Sequence, residues 1–192
     1  MERPSEIIDR GDVTLRRWRG EHDVAAAFLL IEESLEHLRP WMSWVAGHSE
    51  AGTRALLATW ESRWASGDAY NYAVVVDGTP VGMCQAHRLP GTGGWRAGYW
   101  LHPAATGRGI ATRATAAVVT EMFALPDVEY VEVAHDLANT PSAAVPRRLG
   151  FTEVRRERPA RPEAPACSGV EVVWRLDRPA PSPGTTGETP SD

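Results

Sequence analysis

The chain has 192 residues, of which 43% are hydrophobic, and a formal net charge of −5. This length and apolar content are enough to bury the core of one domain. The acidic balance argues against nucleic-acid binding, which needs a basic surface. The two cysteines, Cys84 and Cys167, are too few and too far apart for a disulfide framework or a zinc site. Because no apolar run reaches membrane-spanning length and no signal-peptide core is present, we expect a cytoplasmic protein without a metal centre.

Strand-like and helix-like segments alternate along the chain. In chain order, the hydrophobic periodicity predicts strand 13–18, helices 21–38 and 53–66, strands 70–76, 81–89 and 95–101, helix 109–123, strand 128–134, helix 142–149, and strands 152–157 and 170–176. Asp77-Gly78 predicts a tight hairpin turn because it supplies positive φ. This order predicts an α/β (α+β) fold with a mixed, largely antiparallel central sheet of about seven strands flanked by helices. We assign residues 1–178 to one domain and residues 179–192, rich in Pro, Gly, Ser and Thr, to a disordered tail.

A glycine-containing turn joins strand 95–101 to helix 109–123, and residues 106–112 read Thr-Gly-Arg-Gly-Ile-Ala-Thr. The start of a helix presents unpaired N–H groups and the positive end of the helix dipole, so it can bind phosphate. Gly107 and Gly109 would let the backbone approach an anion closely because they have no Cβ. The same pattern also occurs in ordinary turns, so it indicates a phosphate site only together with other motifs.

The second motif is Asn139-x-x-Ser142, followed by Leu149-Gly150-Phe151. Pro141 stands at a favoured first-turn position, so the motif predicts the start of a helix. A purely structural interpretation is open at this point, with Asn139 or Thr140 capping the helix and Ser142 lying in its first turn.

Together with residues 36–44 (Glu-His-Leu-Arg-Pro-Trp-Met-Ser-Trp) and 98–101 (Gly-Tyr-Trp-Leu), these motifs resemble the GNAT superfamily of acyl-coenzyme A-dependent N-acetyltransferases. The resemblance covers nearly all of residues 12–176. It is closer to the RimJ/RimL-type branch, which acetylates N-terminal α-amines of ribosomal proteins. The superfamily loop, Gln/Arg-x-x-Gly-x-Gly/Ala, is matched at Gly109 and Ala111. Thr106 departs from the usual Gln or Arg, so one side-chain donor to the pyrophosphate is missing.

The resemblance implies acetyl-CoA as the acyl donor and a GNAT-like sheet. Strands 95–101 and 128–134 would splay apart to admit the pantetheine arm, next to backbone groups that are free to pair with it. The cofactor-binding residues that the resemblance implies are Leu101, His102, Gly107, Arg108, Gly109, Ile110, Ala111, Thr112 and Asn139.

Attack of an amine on a thioester needs a neutral amine, a polarised carbonyl and an acid for the departing thiolate. Many GNAT enzymes carry that acid as a Tyr seven residues after the Asn, where this chain has Pro146. The RimL-type branch uses the serine instead, which implies Ser142 as the acid beside Asn139. Pro146 also lacks the N–H that would bond the Ser142 carbonyl, so we expect a distorted helix start.

The sequence leaves the general base open. Relatives often carry a Glu two residues before Gly98, where this chain has Arg96. An N-terminal α-amine has a pKa near ~8, so a weak base or water suffices. The candidates that could reach a cleft are His37, His102, His135, Glu33, Glu36, Glu163 and Glu171.

We predict that the acceptor site involves Glu36, Trp41 and Trp44, because bulky aromatics after a helix can line a groove for a peptide end or stack on a planar ring. The alternative is that the Trp residues belong to the core. The basic residues Arg147, Arg148, Arg155, Arg156, Arg158 and Arg161 either contact the coenzyme 3′-phosphate or an acidic acceptor, or form a solvated surface balanced by Glu153 and Glu157.

Three functions follow, the first being acetyl transfer to a protein or peptide N-terminal α-amine by direct attack in a ternary complex. The second is acetylation of an amine-bearing antibiotic or aminoacyl-nucleotide toxin, because a Trp could stack on a base. The third is a non-catalytic acyl-CoA-binding protein, which the departures at Thr106 and Pro146 keep open. We expect a monomer or homodimer with no nucleic-acid or membrane partner.

Overall fold

The computed structural model describes residues 2–159 and 164–180. Its helices are α1 (Val24–Leu38), α2 (Glu50–Ser66), α3 (Ile110–Ala124) and α4 (Thr140–Arg148). Its strands are β1 (Ile7–Asp9), β2 (Thr14–Arg17), β3 (Ala69–Val76), β4 (Thr79–Arg88), β5 (Gly94–Leu101), β6 (Tyr130–Asp136), β7 (Thr152–Glu157) and β8 (Glu171–Asp177).

The described strands form one sheet of eight in the order β1-β2-β3-β4-β5-β6-β8-β7. All neighbours are antiparallel except β5 and β6, which are parallel. Helices α1 and α2 pack on one face through a core that includes Ile31, Leu57 and Trp100, whereas α3 packs on the other face through Ile110 and Met122. The prediction of a mixed, largely antiparallel sheet flanked by helices is therefore confirmed.

The differences from the predicted elements have local causes. Strand β1 was missed because it is a three-residue edge strand that forms by pairing with β2, which its short sequence does not signal. Helix α2 begins at Glu50 rather than at residue 53 because the Ser49 side chain accepts a hydrogen bond from Gly52 N–H, which caps the earlier turn. The hairpin prediction is confirmed, since Asp77 and Gly78 have φ values of 50° and 78°.

The sheet opens between its two parallel strands. Strands β5 and β6 are paired only from Gly94 with Tyr130 to Ala97 with Val133. Beyond that point β5 stays paired with β4 as far as Leu101, and β6 stays paired with β8 as far as Asp136. The carboxyl halves of β5 and β6 therefore diverge, as the resemblance implies, and leave a wedge-shaped opening between them.

Within the described ranges, no helix has the length and hydropathy that a transmembrane span requires. Of the predicted tail 179–192, residues 181–192 lie outside the described residues. The assignment of residues 1–178 to a single domain stays a prediction.

Candidate active site

The peptide groups of Tyr99 and Leu101 face the opening between β5 and β6. Hydrogen-bonded and non-bonded pairs alternate along an antiparallel ladder, and His102 N–H donates to Val81 O at 2.8 Å. Leu101 and Tyr99 occupy the alternating positions that are not bonded to β4. Their N–H and C=O groups therefore point away from β4 and towards β6. Because β6 is unpaired with β5 beyond Ala97, this edge can accept an extended ligand. The His102 N–H itself is bonded to β4, and cofactor binding by His102 stays a prediction.

The glycine loop leads directly into α3. Gly107 and Gly109 have φ values of 73° and 71°, a left-handed conformation that glycine adopts without strain. Gly109 is the residue before α3, and no side chain caps that helix, so its first N–H groups are open to an anion. Thr106 cannot replace the missing Gln or Arg as a donor, because its hydroxyl donates to Pro103 O at 2.8 Å.

The predicted loop residues differ in how much of them is accessible. Gly107, Arg108 and Gly109 are exposed, and Ala111 and Thr112 are half-buried. The Ile110 side chain is buried in the core at 1% exposure, so only its backbone N–H can contribute to ligand binding. Nearby, Arg113 donates to the Arg108 carbonyl at 3.2 Å and fixes the loop on α3.

Asn139 and Ser142 lie at the start of α4, beside the opening. Asn139 Oδ1 accepts a hydrogen bond from Ser142 N–H at 3.3 Å, so Asn139 caps the helix as the structural interpretation expected. Ser142 is more than a first-turn residue, because it lines a cavity together with Asn139 and Tyr99. The role of either residue in catalysis stays a prediction.

Tyr99 also belongs to this candidate site, although no sequence motif assigns its side chain a role. Its hydroxyl lies 2.9 Å from the Ser142 carbonyl oxygen and 3.1 Å from Ser142 Oγ. Burial raises the pKa of Tyr99 to about 12, so the phenol stays protonated and can donate. The available signal was the Gly-Tyr-Trp-Leu motif at 98–101, but only the packing of α4 against α3 and β6 brings Ser142 to Tyr99.

A cavity of about 280 Å³ begins at this point and extends across the α1/α2 face of the sheet. Its apolar end is formed by Trp41, Met42, Trp44, Met83 and Trp100. A segment near residue 166 forms another wall, and Ala166 N–H donates to Pro40 O at 2.9 Å, which ties the two walls together. The cavity therefore joins the opening between β5 and β6 to a half-apolar groove.

Of the three residues predicted for the acceptor site, the two Trp residues line the cavity and the Glu does not. Trp41 is half-buried and Trp44 is 46% exposed, and both line the cavity, so neither belongs to the fully buried core. The Trp44 ring lies 6.3 Å from that of Trp100. Glu36 is exposed on α1 and is not among the residues that line the cavity.

Charged side chains form the polar floor of the cavity. Arg96 lies 3.1 Å from Glu132 and 3.3 Å from Glu171, so the residue that stands where relatives often carry a Glu is surrounded by carboxylates. Burial raises the pKa of Glu132, but hydrogen bonds from Arg155, Arg96 and Arg175 outweigh it and lower the pKa to about 2. Glu132 is therefore a structural anion rather than a base.

His135 lines the cavity, but its ring is already engaged. Nδ1 lies 2.8 Å from the Asp136 carbonyl oxygen and Nε2 accepts from the Trp174 indole N–H at 3.0 Å. Only the tautomer with hydrogen on Nδ1 satisfies both bonds. No ring lone pair is left for an amine, so His135 cannot serve as the base in this arrangement.

The remaining candidates for the general base differ in whether they line the cavity. Glu33 and His37 are exposed on α1 and do not line the cavity. His102 Nδ1 accepts from Ala104 N–H at 3.2 Å, and its Nε2 lies 3.8 Å from Glu33. Glu163 lies outside the described residues. Glu171 lines the cavity and is 4% exposed.

Part of the basic cluster forms ion pairs with glutamates, as expected for a solvated surface of balanced charge. Arg155 is paired with Glu157 at 2.8 Å and Arg156 with Glu153 at 2.7 Å, the two glutamates that this interpretation names, while Arg155 also pairs with the buried Glu132 at 2.6 Å. Arg147 lies over the Trp174 ring at 5.4 Å. Arg161 is outside the described residues.

The geometry agrees with the comparisons to known proteins. The family model described as "Acetyltransferase (GNAT) domain" matches residues 12–152. A candidate ribosomal N-acetyltransferase of Bacillus subtilis (strain 168), YdaF, is 27% identical over 132 residues, which is 67% of this chain and 72% of YdaF.

Solved structures show the same fold. RimJ of Mycobacterium smegmatis, in complex with CoA-disulfide, has a TM-score of 0.76 at 24% identity over 86% of this chain and 81% of its own. RimL, a ribosomal L7/L12 α-N-protein acetyltransferase solved with coenzyme A, has a TM-score of 0.82 at 22% identity over 90% and 98%. The self-immunity acetyltransferase MccE, solved with acetyl-CoA and AMP, has a TM-score of 0.80 at 17% identity over 88% and 93%. Since the family model spans most of the sheet and the whole glycine loop, the chain belongs to the acetyltransferase (GNAT) domain family.

Proposed function

We propose that this protein transfers the acetyl group of acetyl-CoA to the N-terminal α-amine of a protein or peptide, by direct attack in a ternary complex. The observation that carries the proposal is the opening between β5 and β6, which lies beyond Ala97 and next to a cavity lined by Tyr99 and Ser142, while the glycine loop follows the carboxyl end of β5. A donor and an acceptor can therefore approach one reaction point from two sides of the sheet.

The donor side fits an extended arm that is joined to a pyrophosphate. The uncapped start of α3 and the exposed Gly107 and Gly109 offer backbone N–H groups to an anion. The open edge at Tyr99 and Leu101 offers peptide groups at strand spacing, which amides of a pantetheine arm can bond. One of these N–H groups would hold the acetyl carbonyl oxygen and stabilise the negative charge that develops there.

The acceptor side fits a cationic amine on a partly apolar chain. Among the charged side chains of the described residues that line the cavity, Asp136 and Glu171 are acidic and Arg96 is basic, so carboxylates outnumber guanidinium groups there. Glu171 is the predicted base that both lines the cavity and has its carboxylate on the floor, and we assign it to bind the incoming ammonium and take its proton. Trp41 and Trp44 would then contact the first residues of the acceptor.

The chemical step needs no covalent enzyme intermediate. The neutral nitrogen attacks the acetyl carbonyl carbon, the C–N bond forms, and the C–S bond breaks with its electron pair on sulfur. Ser142 donates its hydroxyl proton to that sulfur, and the proton that the nitrogen loses after its attack restores the serine. Cys84 cannot act as an acyl carrier because it is fully buried, which raises the pKa of its thiol to about 12. Cys167 lines the cavity, so full activity of Cys167→Ala would support direct transfer.

The relatives favour a peptide acceptor. RimL is named as an α-N-protein acetyltransferase and YdaF as a candidate ribosomal N-acetyltransferase. MccE was solved with acetyl-CoA and AMP, and its fold matches as well. Acetylation of an amine attached to a nucleotide is therefore the alternative that the experiment must distinguish.

The test measures free thiol release and acceptor mass with acetyl-CoA and three acceptors. These are a peptide with a free N-terminus, the same peptide with a blocked N-terminus and a free lysine, and an aminoacyl-adenylate analogue. Acetylation of the first alone supports the proposal. Acetylation of the adenylate analogue alone, abolished by Trp41→Ala, would assign a resistance role instead. Acetyl-CoA binding without transfer to any amine would indicate a non-catalytic protein.

A further inference from the structure

The carbonyl of Ser142 lacks its helical partner because residue 146 is proline. In a regular helix the N–H of residue 146 would donate to this oxygen, but Pro146 has no N–H. The Tyr99 hydroxyl donates to the carbonyl instead, at 2.9 Å, across 43 residues of sequence. This substitute bond holds the phenol oxygen 3.1 Å from Ser142 Oγ.

The hydroxyl hydrogens of Tyr99 and Ser142 can be arranged in two ways. A phenol has one hydrogen to donate and can also accept. While that hydrogen points at the Ser142 carbonyl, the Ser142 hydroxyl can donate to the Tyr99 oxygen. When the Tyr99 hydrogen turns to Ser142 Oγ, the serine hydrogen is released towards the cavity. The two arrangements differ by a rotation about each C–O bond and need no backbone movement.

We propose that Tyr99 is a positioning residue that directs the Ser142 hydroxyl towards the leaving sulfur and replaces the proton that the serine gives up. The inference rests on the proposed function. As the C–N bond forms and the C–S bond breaks, sulfur takes the Ser142 proton and Ser142 Oγ takes the Tyr99 proton. Glu171 has already taken the first proton from the ammonium, and Tyr99 is restored, through water, by the second proton, which the nitrogen loses after its attack. Pro146 is part of the device, since it frees the carbonyl that holds Tyr99 in place.

The first variant is Tyr99→Phe, with Tyr72→Phe as a matched control. Tyr72 is fully buried where Tyr99 is half-buried, and its hydroxyl also donates to a backbone carbonyl, that of Ser5, at 2.9 Å, but it does not line the cavity. Both variants should lose similar stability. Tyr99→Phe should lower kcat about 10- to 100-fold, the usual range for losing a hydrogen bond to a group that becomes charged, with KM for the peptide unchanged. Tyr72→Phe should keep kcat.

The second variant separates proton delivery from simple support of the helix. Pro146→Ala restores an N–H that can donate to the Ser142 carbonyl. If Tyr99 only satisfies that carbonyl, adding Pro146→Ala to Tyr99→Phe restores both stability and kcat, and the inference is overturned. If Tyr99 directs the serine, stability returns while kcat stays low. Should Tyr99→Phe alone fail to fold, the same comparison is made in the Pro146→Ala background.

A double-variant cycle completes the test. If the two hydroxyls act as one unit, Tyr99→Phe combined with Ser142→Ala should be no slower than Ser142→Ala alone. Independent, multiplying losses would overturn the inference and leave acetyl transfer intact. A wild-type protein that acetylates no amine would overturn the proposed function first, and this inference with it.

Discussion

A carboxylate placed in the glycine loop should abolish acetyl-CoA binding without unfolding the protein. Gly109→Glu adds a side chain where φ is 71°, and its Cβ would lie 3.2 Å from Nη1 of Arg113, the far end of a flexible side chain. A left-handed conformation costs a non-glycine residue about 1–2 kcal/mol. For a chain of this size, that corresponds to a fall in Tm of about 2–8 °C.

The control is Gly91→Glu, in the loop between β4 and β5. Gly91 has a φ of 72° and no atom within 4 Å of an added Cβ, so the backbone strain and the added charge are the same. Acetyl-CoA at ~100 times its Kd should stabilise the wild type by about 2.7 kcal/mol, or roughly 5–11 °C in Tm. Gly91→Glu should keep this shift.

Thermal unfolding with and without acetyl-CoA measures both effects at once. We expect similar Tm values for the two variants without ligand, and loss of the ligand shift only in Gly109→Glu, because the carboxylate repels the pyrophosphate at the start of α3. A full ligand shift in Gly109→Glu would refute the assignment of the pyrophosphate to this loop.

Three further predictions concern single side chains. Ser142→Ala should slow turnover by about 10²–10⁴-fold while the acetyl-CoA shift in Tm is unchanged; an unchanged rate would remove Ser142 as the acid. Glu171→Gln should raise KM for the peptide and lower kcat at neutral pH. Glu153→Gln, which removes a carboxylate from an exposed ion pair away from the cavity, should change neither constant. Equal kinetic effects of the two variants would exclude Glu171 as the base. The pKa of Glu132 is lowered to about 2 in the fold, so its stabilisation is fully present above the unfolded pKa of ~4.3 and is lost as pH falls towards 2. Acid unfolding of Glu132→Gln should accordingly depend less on pH over that window, and an unchanged dependence would contradict the role of its three arginine partners.

Local chemistry made several parts of this protein predictable. The Asp77-Gly78 turn needs positive φ at both positions, and the structure has it. The helix start at Asn139 follows from a side chain that can cap and a proline at the first turn. The glycine loop could be placed before α3 because Gly107 and Gly109 favour left-handed backbone. Each of these features depends on interactions between residues that are close in the sequence.

Other parts could not be predicted because they depend on segments that meet only after folding. Whether His135 could be a base depended on Trp174, whose indole occupies its Nε2. Glu36 and Glu171 were equal candidates in sequence, and only the packing of α1 against the sheet leaves Glu36 exposed while Glu171 lies under the cavity.

The sequence by itself determined the family, the alternation of strands and helices, and the positions of the glycine loop and of Ser142. These features depend on local sequence motifs and on hydrophobic periodicity. Only the tertiary structure decided what surrounds Ser142. Proline at 146 removes a hydrogen-bond donor, and that absence can be read from the sequence. Which group replaces the donor cannot be read there, because Tyr99 lies on another element, 43 residues away, and reaches the orphaned carbonyl only when α4 packs against α3 and β6.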